Sequence, residues 1–351
     1  MKTLNELLKF TLENKASDLH LTVGVPPVIR VNGELQVIDE EKLLPAYTKN
    51  YAKELLQDRF SDYEKEGEMD SSFSASGIGR FRVNIYKQRG SDAIAIRNVG
   101  LKVPALKDLN FPKVINQLID AQRGLILVTG PTGSGKSTSL AAMINEINST
   151  RKEHIITLED PIEYMHKHNK SIINQREIGR DSSSYASALR AILREDPDVI
   201  LIGEMRDLET ISIAITAAET GHLVFSTLHT IGAAKTIDRI IDVFPPFQQQ
   251  QIKIQLAAVL RGIVSQQLIP TEDKNGRVAA LEIMMNTPAI QNLIREGKTH
   301  QLQSHIQTGN KYGMKTMDMA LAELYRTGII SNESVMTYCI DKELTSKLIS
   351  L

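Results

Sequence analysis

Leu4, Leu7, Leu8, Thr11 and Leu12 recur at helical spacing, so the chain opens on an amphipathic helix. Two short extended runs follow at 18–23 and 27–31, and Asn32-Gly33 separates the second from a third run at 34–38. Asn-Gly between alternating runs predicts a hairpin, because both turn positions must tolerate positive φ. A second helix is predicted over 48–66, and further strands over 72–75, 79–86 and 92–97. The stretch 99–112 carries Gly100, Pro104 and Pro112 with little periodicity, as a linker does. A small mixed α+β domain over 1–98 is the expectation.

Beyond the linker, strands alternate with helices. The run 124–129 is continuously apolar, the mark of a strand buried on both faces. A helix is predicted over 138–147 and a strand over 155–158. Ala186, Leu189, Ile192 and Leu193 then form one helical stripe ahead of a strand at 199–202. Asp207 is placed to cap a helix running to Gly221, before a strand at 223–227. Such alternation predicts an α/β domain over 113–351, a parallel sheet with helices on both faces. From about residue 245 the pattern is mostly helical, with one strand at 277–283.

Composition narrows the class. With 42% hydrophobic and 24% charged residues, the 351-residue chain can bury a substantial core. Lys and Arg number 41 against 42 Asp and Glu, so no overall field draws it to nucleic acid or anionic lipid. Cys339 is the single cysteine, which rules out an intrachain disulfide and a zinc site built on several thiolates. The first residues lack a signal-peptide core, and no run approaches the roughly 18 apolar residues of a membrane span. A cytoplasmic protein is expected.

The sharpest chemical feature is the run Gly130, Pro131, Thr132, Gly133, Ser134, Gly135, Lys136, Ser137, a full phosphate-binding loop followed by Thr138. It lies between a buried strand and a helix, as the chemistry requires. Glycines let backbone N–H groups turn inward around phosphate oxygens, and the helix N-terminus adds its positive dipole. Lys136 is placed for the β- and γ-phosphates of ATP and Ser137 for Mg²⁺.

Three later strands deliver polar residues at their carboxyl ends, where ligands of open parallel sheets bind. Glu159, Asp160 and Glu163 follow the first, Glu204 the second and His229 the third. Glu204 ends an apolar strand as a metal-linked or water-polarising acid does, and Glu163 is a second candidate. His229 is a candidate for sensing the γ-phosphate, and His222 for the same task, against the ordinary alternative of a structural histidine. No Asn/Thr-Lys-x-Asp element follows the loop, which argues against GTP. A small-molecule kinase fits less well than hydrolysis, given the added N-terminal domain and the acid-rich strand ends.

These segments resemble the motifs of the secretion-superfamily ATPases: 130–138 their Walker A loop, 157–163 their Asp box, 196–207 their Walker B and 226–230 their His box. The segments 16–21 and 79–84 resemble that family's N-terminal domain. Within the family, the chain is most similar to retraction ATPases of type IV pili. It has one cysteine where assembly and secretion relatives usually carry a four-cysteine motif and a further N-terminal domain. The segment 289–297 resembles the retraction group's C-terminal signature, with Gln291 where Arg is usual.

The resemblance implies a PAS-like N-terminal domain joined to a RecA-like ATPase domain, six copies forming a ring, and ATP with Mg²⁺ bound between the domains. It implies that Arg82, Arg97 and Arg239 reach the nucleotide's phosphates, with Arg80 as a substitute for Arg82. An inner-membrane platform protein at the cytoplasmic face is the implied partner, and no nucleic acid. Pilus retraction is then the expected function. Pilus assembly, secretion or DNA uptake by the same fold is the alternative, and a RecA-like nucleic-acid translocase or a regulatory nucleotide-binding module the reading from another class.

Overall fold

The computed structural model describes residues 2–31, 33–99 and 103–350. The chain divides into two compact units: Met1–Lys102 with Glu163–Met165, and Val103–Ile162 with His166–Leu351.

The first unit begins with α1 (Leu4–Glu13), whose start is fixed by a reciprocal cap. The Thr3 hydroxyl accepts from the Glu6 N–H, and the Glu6 carboxylate accepts from the Thr3 N–H at 2.7 Å. Strands β1 (Asp18–Leu21), β2 (Val28–Val31) and β3 (Glu34–Val37) follow, then α2 (Pro45–Leu56) and α3 (Phe60–Glu66). The single helix expected over 48–66 is therefore two, starting earlier at a proline and broken where Gln57 takes a φ of 51°. Strands β4 (Glu68–Ala75), β5 (Gly79–Gln88) and β6 (Ser91–Val99) complete an antiparallel sheet in the order β3-β2-β1-β6-β5-β4. Val31 pairs with Glu34 across a two-residue turn in which Gly33 has positive φ; Asn32 lies outside the described residues. Leu4, Leu8, Leu19, Tyr63, Phe81 and Ile85 are fully buried in its core.

In the second unit, the expected linker is only partly one. Residues 100–102 lie outside the described residues, but Leu106–Leu109 forms a 3₁₀ turn that buries Leu106 in the core. Then come α4 (Val114–Ile119), β7 (Gly124–Thr129), α5 (Lys136–Thr150), β8 (His154–Glu159), β9 (Ile172–Glu177), α6 (Tyr185–Ile192), β10 (Val199–Ile202), α7 (Leu208–Glu219) and β11 (Leu223–Leu228). The chain continues through α8 (Ala233–Asp242), α9 (Pro246–Val259), β12 (Leu260–Pro270) and β13 (Arg277–Met285). Helices α10 (Pro288–Arg295), α11 (Leu302–Gln307), α12 (Met317–Arg326), α13 (Asn332–Tyr338) and α14 (Lys342–Ser350) close it.

The sheet order is β13-β12-β7-β11-β10-β8-β9. It is parallel except that β13 runs antiparallel to β12, which corrects the expectation of a purely parallel sheet. Strand β12, read as helical from the sequence, lies between β7 and β13. It follows α9 without a loop, so helical periodicity runs into it, yet its side chains are buried like those of a central strand. Alternate residues of β7 point to opposite faces: Leu125 and Leu127 pack in the core beneath α6–α10, Ile126 and Val128 in that beneath α4 and α5. On α10, Ile290, Leu293 and Ile294 are buried, while Arg295 and Glu296 beyond them are exposed. No described helix is long and apolar enough to cross a membrane.

Candidate nucleotide site

Strand β7 is buried throughout and ends at Thr129, so the loop leaves the middle of the sheet at Gly130. Here φ is 144°, and a Cβ would overlap the Gln266 carbonyl on β12 and lie 2.7 Å from the Ser134 hydroxyl. Only glycine passes so close to the neighbouring strand. Gly133 and Gly135 also have positive φ, 79° and 87°, which turns the loop's amides inward. Helix α5 starts at Lys136 without a side-chain cap, leaving its first amides to an anionic ligand. The Lys136 ammonium is buried and lies over the loop, donating to the carbonyls of Gly130 at 2.8 Å and Pro131 at 3.0 Å.

One residue missed from the sequence clasps this loop. The Gln266 side chain donates to the Ser134 carbonyl at 2.6 Å and accepts from the Ser139 hydroxyl on α5 at 2.6 Å. It is buried, and both halves of its amide are satisfied. Helical periodicity runs from α9 into the segment that holds it, which hides its position beside the loop. Next to it, Leu109, Phe111, Thr138, Leu268 and Arg277 line a cavity of about 200 Å³.

At the ends of β10 and β11, side chains converge. The His229 Nε2 lies 3.3 Å from the Glu204 Oε2, and the His229 Nδ1 lies 3.5 Å from the Thr132 hydroxyl of the phosphate loop. One tautomer serves both, with Nε2–H donating to Glu204 and Nδ1 accepting from Thr132. The other Glu204 oxygen is 2.5 Å from the Nε of the exposed Arg206, a partner the sequence reading did not single out. The loops are fastened by β11 itself: the Thr227 hydroxyl donates to the Gly203 carbonyl at 2.5 Å and the Met205 N–H to the Thr227 carbonyl at 3.1 Å. Tyr185 stands beside them, its hydroxyl 2.8 Å from where a Gly203 Cβ would be. Burial first, then the charges of Asp160, Glu204 and Glu159, push its phenol well above the ordinary tyrosine range.

The remaining candidates are placed differently. His222 precedes β11, whose first residue pairs with Gly124 and whose last pairs with Thr129. It is thus at the amino end of the strand, a full strand length from the phosphate loop, where its Nδ1 meets the Ala217 carbonyl at 2.9 Å. Within this chain His222 thus lies apart from the phosphate loop, where it joins the end of α7 to the start of β11. Glu159 accepts from Thr157 at 2.6 Å and Gln175 at 3.1 Å. Glu163 is exposed and groups with the N-terminal unit. Arg239 lies exposed in the last turn of α8.

Within the first unit, Arg82 on β5 and Arg97 on β6 are directly opposite each other, and Arg97 is opposite Asp18 on β1. Like charges in such a pair repel. Asp18 offsets this, its carboxylate accepting from the Arg97 Nε at 2.8 Å. Arg80 is instead buried, its guanidinium held by Ser72 at 2.9 Å and Ser74 at 3.0 Å.

A strand-embedded phosphate loop with an acid and a histidine at the neighbouring strand ends defines a P-loop nucleotide-binding protein. Residues 105–336 match the model of the type II/IV secretion system protein family, to which the chain belongs. It is 49% identical to the type IV pilus retraction ATPase PilT of Pseudomonas aeruginosa over 94% of this chain and 96% of that one. Identity to a twitching motility protein of Neisseria gonorrhoeae is 48%, over 88% of this chain and 83% of the relative. The crystal structure of the pilus retraction motor PilT with bound ADP superposes with a TM-score of 0.93 at 48% identity, covering 99% of this chain and all of that one.

Proposed function

We propose that this chain is an ATPase motor that hydrolyses ATP to power type IV pilus disassembly. It works as a ring of six copies at the cytoplasmic face of the inner membrane, against a platform protein there. Residues 1–98 form its PAS-like domain and 113–351 its ATPase domain, joined through 99–112. The observation that carries the ATPase reading is the meeting of Thr132, His229 and Glu204 at the mouth of the phosphate loop. The retraction reading rests on the nearly full-length relationship to PilT.

In this reading the loop amides and Lys136 hold the β- and γ-phosphates, and the cavity bounded by Phe111, Leu268 and Arg277 takes the base. Glu204 accepts a hydrogen bond from the attacking water and raises its nucleophilicity. His229, bridging Glu204 and Thr132, reports whether the γ-phosphate is present. Glu163 is a second acid of the reaction. Arg82, Arg97 and Arg239 supply the guanidinium forks that stabilise charge spreading over the γ-phosphoryl oxygens, a contribution worth ~10³–10⁵ in rate where one arginine is decisive.

Mg²⁺ fits as an ion brought by the nucleotide. Among the described residues no three His, Cys, Asp or Glu side chains form a cluster that would hold a metal alone. The Ser137 hydroxyl and Glu204 carboxylate are oxygen donors, the kind Mg²⁺ takes alongside phosphates and water. When bound, the ion neutralises charge on the phosphate oxygens.

Purified protein tests the enzymatic part. Lys136→Ala is expected to lose ATP binding, while Glu204→Gln binds ATP as the parent does and hydrolyses it at least about 100-fold more slowly. Steady turnover by Glu204→Gln contradicts the role given to that residue.

A further inference from the structure

A buried carboxylate, Glu282, lies behind the His229 loop, in no part of the chemistry described so far. Leu228, Thr129, Ser265 and Glu282 are in register across β11, β7, β12 and β13. Glu282 is wholly shielded from solvent, and so is Ser265 beside it. A carboxylate in such a place is costly unless backbone or side-chain donors surround it. The donors here are two helix starts and the Gln303 side chain of α11. One Glu282 oxygen accepts from the Ala233 N–H, the first residue of α8, at 2.7 Å, and the other from the Met317 N–H, the first residue of α12, at 3.3 Å. The Ser265 hydroxyl accepts from the Gly232 N–H at 2.9 Å. Helix α8 has no cap of its own, since its N-cap residue is Gly232. Ser265 and Glu282 therefore perform the capping from across the sheet.

The consequence lies in what α8 carries. The segment 229–232 between β11 and α8 begins with His229, and Arg239 is on the last turn of α8. Thr236 tightens the same turn, meeting the Gly232 carbonyl at 2.8 Å and the Thr230 hydroxyl at 2.7 Å. On its other side, α12 carries the buried Asp318, which accepts from the Ile340 N–H at 2.7 Å and the Asp341 N–H at 3.1 Å, just ahead of α14.

We propose that Glu282, with Ser265, is a positioning residue that fixes the His229 loop and α8 for ATP hydrolysis and ties them to the start of α12. The proposal rests on the roles given above to His229 and Arg239. A displacement of about 1 Å in a group that meets the transition state costs on the order of 100-fold in rate. Loosening this clasp is thus expected to lower kcat and leave nucleotide binding by the phosphate loop alone.

Three full-length variants test it: Glu282→Ala, Glu282→Gln and Ser265→Ala. For each, kcat, the dissociation constant for ADP and amide hydrogen exchange of segments 230–237 and 130–138 are measured. Glu282→Ala is expected to lose about 30-fold or more in kcat, with ADP affinity within about threefold. Exchange at 230–237 accelerates about tenfold or more while 130–138 is unchanged. Glu282→Gln, whose amide oxygen still accepts, falls between Glu282→Ala and the parent. If Glu282→Ala does not fold, Ser265→Ala carries the test, with about fivefold lower kcat and faster exchange at 230–237. Parental kcat and exchange in the folded variants overturn the proposal. Unchanged exchange with lost kcat overturns it too, leaving His229 and Arg239 in their roles. Faster exchange with full kcat refutes those roles instead, and the positioning function with them.

Discussion

The Nε2 of His229 stands 3.3 Å from the Oε2 of Glu204, joining the ends of two adjacent parallel strands above the phosphate loop. The other Glu204 oxygen is taken by Arg206, whose side chain is 74% exposed. An exposed ion pair contributes at most about 1 kcal/mol. Arg206→Ala is therefore expected to change kcat by no more than about fivefold, in contrast to the loss of about 100-fold for Glu204→Gln. Steady-state ATPase assays separate the two, and an equal loss in both would make the Arg206 contact part of the chemistry.

Gln266 makes a different prediction because it touches the loop and not the strand ends. Gln266→Met keeps the volume and leaves the Ser134 carbonyl and Ser139 hydroxyl without their present partner. The loss at the Ser134 carbonyl costs about 1–3 kcal/mol, part of which falls on the loop's bound conformation, while the Ser139 hydroxyl keeps its contact with the Gly135 carbonyl. ADP affinity should fall about tenfold, equivalent to about 1.4 kcal/mol, with kcat at saturating ATP within about threefold. Calorimetric titration checks the first and turnover the second. Unchanged affinity in a folded Gln266→Met protein removes Gln266 from the site.

Gly203 is held small by Tyr185. A Cβ there would sit 2.8 Å from the Tyr185 hydroxyl and 3.2 Å from the Leu158 carbonyl. Gly203→Ala should destabilise by about 1–3 kcal/mol through overpacking. Adding Tyr185→Phe should recover most of it, because the two changes share one contact. Urea denaturation of the single and double variants measures that coupling. Strictly additive effects would mean the alanine clashes elsewhere.

In the N-terminal unit the buried Tyr63 hydroxyl donates to Asp92 at 2.6 Å, and Lys87 donates to the same carboxylate oxygen at 2.6 Å. Burial, then the Asp92 hydrogen bond and charge, hold the phenol well above its ordinary value of 10.0. The unfolded tyrosine loses its proton above pH 10 while the folded one keeps it, so the unfolded state binds fewer protons. Unfolding free energy then falls by up to about 1.4 kcal/mol per pH unit above 10 and is unaffected by this group below. Denaturant midpoints of the parent and Tyr63→Phe, compared between pH 8 and 11, should converge as pH rises. Parallel curves would show that Tyr63 titrates alike in both states.

The phosphate loop was legible because its chemistry is local: eight consecutive residues state both the turn and the ligand. Glu204 and His229 come together because each falls within two residues of the end of an apolar strand, and strand ends of a parallel sheet share one edge. His222 lies at the opposite end of the same strand, a separation that its closeness in sequence to His229 does not register. Gln266 and Glu282 were hidden by long-range pairing. Gln266 lies on a strand that continues from a helix without a break, and Glu282 reads as one polar residue in a β run until β12 sets Ser265 opposite it. Among the secondary structure, short apolar runs bounded by glycine or acid were read to within a residue or two. The break at Gln57 depends on one residue's backbone, which periodicity does not register.

The central claim is that this ATPase pulls pili in. Replacing its gene, in the bacterium it comes from, with the Glu204→Gln version and counting surface pili tests that claim most directly. Excess pili on cells that no longer twitch is the predicted result. Bald cells would contradict it and make the motor one of assembly.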